Sequence, residues 1–287
     1  MKNINGRKLY KTELKYKKFR NLDSINWDSE KMKKIYYENN TDGLNYRLEE
    51  CRENNYEILD LSHMGLSEMP PIQINIKKNI KYLFLNNNNF NKINIDDFSN
   101  IEVLDISYNN FEYIDYIPKN LIELTCKYNN IKHIANSDNL KILDCYNNNI
   151  TKIEIYKNLE YLDCANNNIT ELPSLPRIKK IICKHNNISK LISYHDLEYL
   201  DISYNKILNV ANLLKLKELI CSNNNIQLIT ELPSLIYLEI TENKLKKINY
   251  FPNLKELRCD YDDINISSSF KIKNILVHKD KCIIYFS

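Results

Sequence analysis

Leu121-Ile122-Glu123-Leu124-Thr125-Cys126-Lys127-Tyr128-Asn129-Asn130-Ile131 is followed, 19 residues after its first leucine, by Leu140-Lys141-Ile142-Leu143-Asp144-Cys145-Tyr146-Asn147-Asn148-Asn149-Ile150. Both fit one frame, Leu-x-x-Leu-x-Leu-x-x-Asn-x-Leu, with Cys or Ile admitted at the apolar places. The frame returns through Leu159, Leu162, Cys164, Asn167 and Ile169, then through Ile178, Ile181, Cys183, Asn186 and Ile188. It continues from Leu197, Leu216, Leu235 and Leu254, each 19 residues after the last. Upstream, looser spacing gives starts at Ile101, Ile80 and Tyr56; downstream, Ile272, Ile275, Val277 and Cys282 read as a degenerate final strand. About eleven copies in one register mark a repeat architecture, in which each copy contacts only its neighbours.

The frame has a mechanical reading. Residues alternate across a strand, so Leu143 and Cys145 face inward while Asp144 faces out. Ile150, Ile153 and Tyr156 supply inward contacts from the turn and the returning segment. One copy cannot bury that apolar face, whereas a stack builds a continuous core. The asparagines Asn88, Asn109, Asn129, Asn148, Asn167, Asn186, Asn205, Asn224 and Asn243 stand where strand gives way to loop. A carboxamide there both donates to and accepts from backbone groups left unpaired by the turn, so these nine are expected to stack as a buried ladder. Asp262 and Met64 replace Asn in the last and first full copies.

At about 150 residues per domain, the 287 residues suggest two domains. The repeat replaces that expectation with one solenoid and an N-terminal cap. The expected divisions are a basic, solvated arm over 1–20, a helical cap over 21–55, repeats over 56–269, and a terminal repeat or C-terminal cap over 270–287. Amphipathic spacing over Trp27–Asn39 and at Leu44, Leu48 and Cys51 predicts two short helices, with Asp28 and Thr41 or Asp42 as N-caps and Trp27 packed in the cap. Apolar residues make up 43% of the chain, too many for a wholly disordered one. Its three glycines exclude both collagen-like sequence and a glycine-rich phosphate loop.

The pattern resembles the leucine-rich repeat, and the resemblance covers roughly residues 56–284. It implies an α/β solenoid of horseshoe form: short parallel strands on the concave face, an irregular or 3-10 convex side, and partner binding on the concave face. The segments Glu171-Leu172-Pro173-Ser174-Leu175-Pro176 and Glu231-Leu232-Pro233-Ser234-Leu235 are similar to the spacer of short-repeat bacterial effectors. Asn- and Ile-rich repeats of this kind also resemble those of large DNA viruses of amoebae. Some effectors of this type carry a ubiquitin-ligase domain after the repeats; no such domain is expected within these residues.

Six cysteines, at 126, 145, 164, 183, 221 and 259, share one inward place that Ile fills at 106, 202 and 240. A site that takes either is a small apolar slot, so reduced, buried thiols are expected. There is no Cys-x-x-Cys, and the five histidines share no repeat place, so neither metal nor other cofactor is expected. No Ser or Cys nucleophile is paired with His in a motif, and no enzyme activity or small-molecule substrate is expected. The lysine-studded start lacks an apolar segment, and no stretch could span a membrane. An intracellular, cytoplasmic chain is therefore expected, in a host cell if the source is viral, with the Asn-x-Ser/Thr matches at 149, 168, 187 and 265 unmodified.

Two features mark the outward strand positions. Asp105, Thr125, Asp144, Asp163, Ile182, Asp201, Ile220 and Glu239 form a mostly acidic row. Flanking it are Tyr82, Tyr108, Tyr128, Tyr146, Tyr161, Tyr199, Tyr204, Tyr237 and Tyr261. Tyrosine buries a large area at small entropic cost, and an acidic row suits a partner presenting Lys or Arg. The expected function is a non-catalytic protein-interaction scaffold. Residues 1–20 carry eight Lys or Arg against one Glu, which makes nucleic acid or an anionic surface the alternative partner. A second alternative is an adaptor recruiting an enzyme such as a ubiquitin ligase through residues 21–55.

Overall fold

The computed structural model describes residues 40–260, 265–278 and 281–286. The basic arm, the first predicted helix with Trp27 and Asp28, Tyr261 and Asp262 lie outside them. The chain divides into two compact units, Met1–Tyr46 and Arg47–Ser287, and the solenoid lies wholly in the second. Helix α1 (Asn40–Glu53) matches the second predicted helix. The units divide inside it, nearer the N-terminus than the expected boundary at residue 55, because its C-terminal half packs with the repeats. Cys51 there is buried, and the Arg47 guanidinium lies 3.8 Å from the carboxylate of Asp60.

After α1 come β1 (Ile58–Asp60), the four-residue helix α2 (Ile74–Lys77), β2 (Tyr82–Phe84), β3 (Val103–Asp105), β4 (Tyr113–Ile114) and β5 (Glu123–Thr125). Next are β6 (His133–Ile134), β7 (Ile142–Asp144), β8 (Tyr161–Asp163), β9 (Lys180–Ile182), β10 (Tyr199–Asp201) and β11 (Asn209–Val210). Then follow β12 (Glu218–Ile220), β13 (Leu228–Ile229), β14 (Tyr237–Glu239), β15 (Lys247–Ile248) and β16 (Glu256–Asp260). The last are β17 (Asn265–Ile266), β18 (Ile272–His278) and β19 (Lys281–Phe286).

Thirteen strands form one sheet in the order β1-β2-β3-β5-β7-β8-β9-β10-β12-β14-β16-β19-β18. From β1 to β16 every neighbour is parallel and in register on the central leucine, or Ile181 on β9, as in Leu124 beside Leu143 beside Leu162. The end differs from the sequence expectation. Strands β18 and β19 pair antiparallel, and β19 pairs antiparallel with β16, in place of one degenerate final strand. The returning segments are irregular, as the resemblance implied, except for three two-residue parallel pairs, β4–β6, β11–β13 and β15–β17. Ile114, Val210 and Ile248 of these pairs recur one per repeat, and a β-branched side chain suits extended backbone.

The central leucines Leu124, Leu143, Leu162, Leu200, Leu219 and Leu238 are fully buried, as are Cys126, Cys145, Cys164, Cys183 and Cys221. Each repeat closes through its asparagine. Asn167 Oδ1 accepts from the Ile150 amide of the preceding repeat at 2.9 Å, while its Nδ2 donates to the carbonyls of Cys145 and Cys164 at 3.0 and 3.1 Å. The same geometry runs from Asn109 to Asn243, with the amide acceptance always 2.9–3.0 Å. At the N-terminal end Asn88 accepts from both Met64 and Leu66 amides, covering the repeat that has Met64 where others have Asn.

A second, exposed asparagine ladder escaped the sequence reading. Asn100, Asn120, Asn139, Asn158 and Asn253, each just before the first apolar residue of its repeat, donate to a carbonyl of the repeat before at 2.6–2.9 Å. Nearby, Lys–carboxylate pairs such as Lys179–Glu160 and Lys217–Glu198 link successive repeats at 2.7 and 2.8 Å. Being exposed, each such pair contributes at most about 1 kcal/mol.

The two asparagine ladders differ in consequence. Asn167→Leu strands the buried Ile150 amide and takes one of two asparagine donors from each of the Cys145 and Cys164 carbonyls, so a loss of about 1–3 kcal/mol is expected in chemical denaturation. Asn158→Ala frees an exposed carbonyl to water, and a loss below about 1 kcal/mol is expected.

Candidate protein-interaction face

The outward positions of the main sheet form two rows, and the turn that follows each strand adds a third. Tyr82, Tyr161, Tyr199 and Tyr237 sit at the first outward position, in register with Lys180 and Glu218 on the intervening strands β9 and β12. The acidic row occupies the second, where Asp144 and Asp163 are direct neighbours and Ile182 separates Asp163 from Asp201. The nine tyrosines therefore do not stand in one flank. Tyr108, Tyr128 and Tyr204 belong to the turn row and Tyr146 stands one residue before it, while Tyr261 lies outside the described residues.

The turn row has a distinctive backbone. Its ten residues, His63, Asn87, Tyr108, Tyr128, Asn147, Asn166, His185, Tyr204, Asn223 and Glu242, all have φ between 50 and 61°. The left-handed conformation costs a residue with a Cβ about 1–2 kcal/mol, least for Asn, whose short side chain tolerates it. Four of the ten are Asn. Three are nonetheless Tyr, and these are 37–49% exposed, whereas Tyr82 and Tyr161 on the strands are only 9% exposed.

Rings in and beside the turn row contact one another along the stack. Tyr108 and Tyr128 stack with centroids 4.4 Å apart, Tyr146 meets Tyr128 edge-on at 5.1 Å, and His185 stacks on Tyr204 at 4.1 Å. Asn166 Nδ2 donates to the Tyr146 hydroxyl at 3.1 Å, filling the gap between the two groups. Burial pushes the Tyr108 phenol up, and hydrogen bonding to Tyr128 pushes up that of Tyr146, so both stay neutral donors. The result is an aromatic ledge along one margin of the sheet.

The acidic row is more enclosed than its sequence suggested. Asp144, Asp163 and Asp201 are buried, and much of their capacity is turned on the chain itself. An aspartate at this place accepts from the amide two residues on: Asp105 from Ser107 at 2.9 Å, Asp163 from Ala165 at 3.2 Å, Asp201 from Ser203 at 3.1 Å. Asp60 does the same for Ser62. That amide falls between the strand ladder and the turn ladder, and a short carboxylate reaches it locally. Lys127 lies 3.0 Å from Asp144, and Glu239 accepts from the Tyr237 hydroxyl at 2.8 Å. Lys180 stands over the Tyr199 ring at 4.1 Å and Arg258 over Tyr237 at 5.4 Å. Burial raises the Tyr199 and Tyr237 phenols, with Glu239 adding to the second. Among the described residues no group of three or more His, Cys, Asp or Glu is placed to hold a metal ion, and no helix is long and apolar enough to cross a membrane.

Stacked parallel strands closed by an asparagine ladder define a repeat solenoid, and the comparisons agree. Residues 138–177 match the family description "Leucine Rich repeats (2 copies)" and residues 79–101 match "Leucine Rich Repeat". Those two segments are leucine-rich repeats, and the solenoid has the leucine-rich repeat fold. A search of curated protein sequences finds no match. Among solved structures it is similar to YopM from Yersinia enterocolitica WA-314, with a TM-score of 0.61 and 20% identity over 78% of this chain and 60% of that one. The functional domain of InlJ from Listeria monocytogenes, described as including a cysteine ladder, gives 0.53 and 23% over 77% of this chain and 55% of that one. The repeats of FLRT2, in an octameric complex with Latrophilin 3 and Unc5D, give 0.56 and 18% over 75% of this chain and 90% of that one. These likenesses concern the fold; the chain spans less than two thirds of the YopM and InlJ chains it matches.

The strain in the turn row is measurable. Tyr204→Asn is expected to leave stability unchanged or raise it by up to about 1 kcal/mol in urea unfolding, while Tyr204→Val loses about 1–2 kcal/mol.

Proposed function

We propose that this chain is a non-catalytic protein-interaction scaffold whose partner docks on the open face of the main sheet and on the aromatic ledge beside it. One observation carries the reading: exposed Tyr108, Tyr128 and Tyr204 occupy left-handed turn positions where Asn costs less, so the backbone strain is tolerated in favour of the rings. Exposed tyrosine supplies contact area with few rotatable bonds and keeps a hydroxyl for the partner. FLRT2, whose repeats share this fold, stands in a complex with other proteins, which is the use proposed here.

The partner is proposed to present Lys or Arg. The recessed carboxylates Asp105, Asp144, Asp163, Asp201 and Glu239 lie along the centre of the face, and tyrosine rings offer cation–π surfaces at its margin. In this reading the ledge and the strand tyrosines Tyr199 and Tyr237 make direct contact, while the enclosed aspartates bias the potential.

Affinity capture from the native cell with the intact chain tests this. Tyr108→Asn, Tyr128→Asn and Tyr204→Asn combined are expected to fold at least as stably and to reduce capture of the partner tenfold or more, by about 1.4 kcal/mol. Capture at wild-type strength by that triple variant would remove the ledge from the interface. Loss of capture on deletion of residues 1–20 alone would favour the basic arm instead.

A further inference from the structure

The column of inward cysteines ends at Cys259 on β16, and there the sheet changes character. Upstream, Cys126, Cys145, Cys164 and Cys183 each directly follow the parallel strands β5, β7, β8 and β9. Cys259 instead faces an antiparallel neighbour, and its register partner across that junction is Cys282 of β19. The two sulfurs lie 3.2 Å apart in a thiol–thiol contact, and both side chains are buried, 1% and 4% exposed. Among the described residues no other pair of sulfurs lies within hydrogen-bond reach.

Residues directly opposite one another on antiparallel strands have Cα atoms about 4.5–5.5 Å apart, inside the range of about 4.4–6.8 Å that a disulfide spans. Closure therefore needs side-chain rotation and little backbone movement. The surroundings control when it can happen. In the closed sheet, burial pushes the Cys259 thiol up, so the thiolate needed for exchange is scarce. The covering hairpin ends the sheet, with β18 as its last strand. Its outer strand β18 has Ile272, Ile275, Leu276 and Val277 46–51% exposed, and a stack of Phe270 on Phe286 at 4.5 Å helps to fold it down.

We propose that Cys259 and Cys282 form a thiol–disulfide exchange site that takes low-molecular-weight disulfides and, once closed, locks the terminal hairpin β18–β19 onto the last repeat. The hairpin opens, one cysteine thiolate attacks a sulfur of the small disulfide, and the first small thiolate leaves. The second cysteine thiolate then attacks the protein sulfur of that mixed disulfide and expels the second. Two protein thiols are oxidised by two electrons, one small disulfide is reduced to two thiols, and the two protons pass to the departing thiolates. The other six cysteines have no opposed partner and stay reduced in the core.

The intact, fully reduced chain is incubated with oxidised glutathione, quenched in acid, denatured and alkylated, then weighed and mapped. The expected result is loss of two of the eight free thiols and one peptide link joining Cys259 to Cys282. Phe286→Ala, which removes the stack on Phe270, is expected to form the same link faster. Amide exchange over 272–286 is expected to slow about tenfold or more on oxidation, and Cys282→Ser to abolish that slowing. Eight alkylated thiols in both wild type and Phe286→Ala, glutathione adducts without ring closure, a link between other cysteines, or unchanged amide exchange would each overturn the proposal.

Discussion

A solenoid turn of this length has more backbone polar groups at its corner than backbone partners for them, and the rest of the structure depends on how that deficit is met. Here one carboxamide per repeat meets it. By accepting from one amide and donating to two carbonyls, the buried asparagine joins its own strand to the preceding turn. Once the corner is satisfied, leucine, isoleucine and cysteine can fill the interior without polar competition. Replacing such a group in a dry interior is costly, because each unpaired donor or acceptor loses about 1–3 kcal/mol.

The chain must also turn left-handed once per repeat, and it has almost no glycine with which to do so. Of its three glycines, Gly65 alone has a positive φ among the described residues. Asparagine takes over, at Asn87, Asn147, Asn166 and Asn223, and elsewhere Tyr, His or Glu accepts the strain. Much of the surplus of asparagine thus has structural duties of three kinds: buried corner, left-handed turn, and outer corner between repeats. Tyrosine in the turn row is the departure from this economy, and departures of that sort are where function is sought.

The repeat frame was legible because it is periodic: Leu143, Cys145 and Asn148 recur with fixed meaning, and the fold follows from their spacing. Asn158 and its equivalents lay outside the frame, one residue before its first leucine, in a column that Arg177, Asp196, Lys215 and Ser234 interrupt, and so went unread. The site was only half legible. Alternation places Asp163 and Tyr161 on the outward face, yet it cannot show that Asp163 accepts from the Ala165 amide or that Tyr161 is nearly covered. Tyr108 and Tyr204 look like strand-flanking residues in sequence; their left-handed φ is a property of the corner, visible only when the turn is built. The terminal hairpin was missed because a new antiparallel neighbour breaks the period on which the reading relied.

The asparagine ladder also has a direction. Each carboxamide serves the turn before it, so a repeat is finished only by the residue its successor contributes. A ribosome releases the chain from the N-terminus, and no corner can close until the next asparagine has emerged. A frameshift or stop within the array would leave an upstream stack complete except for its final corner.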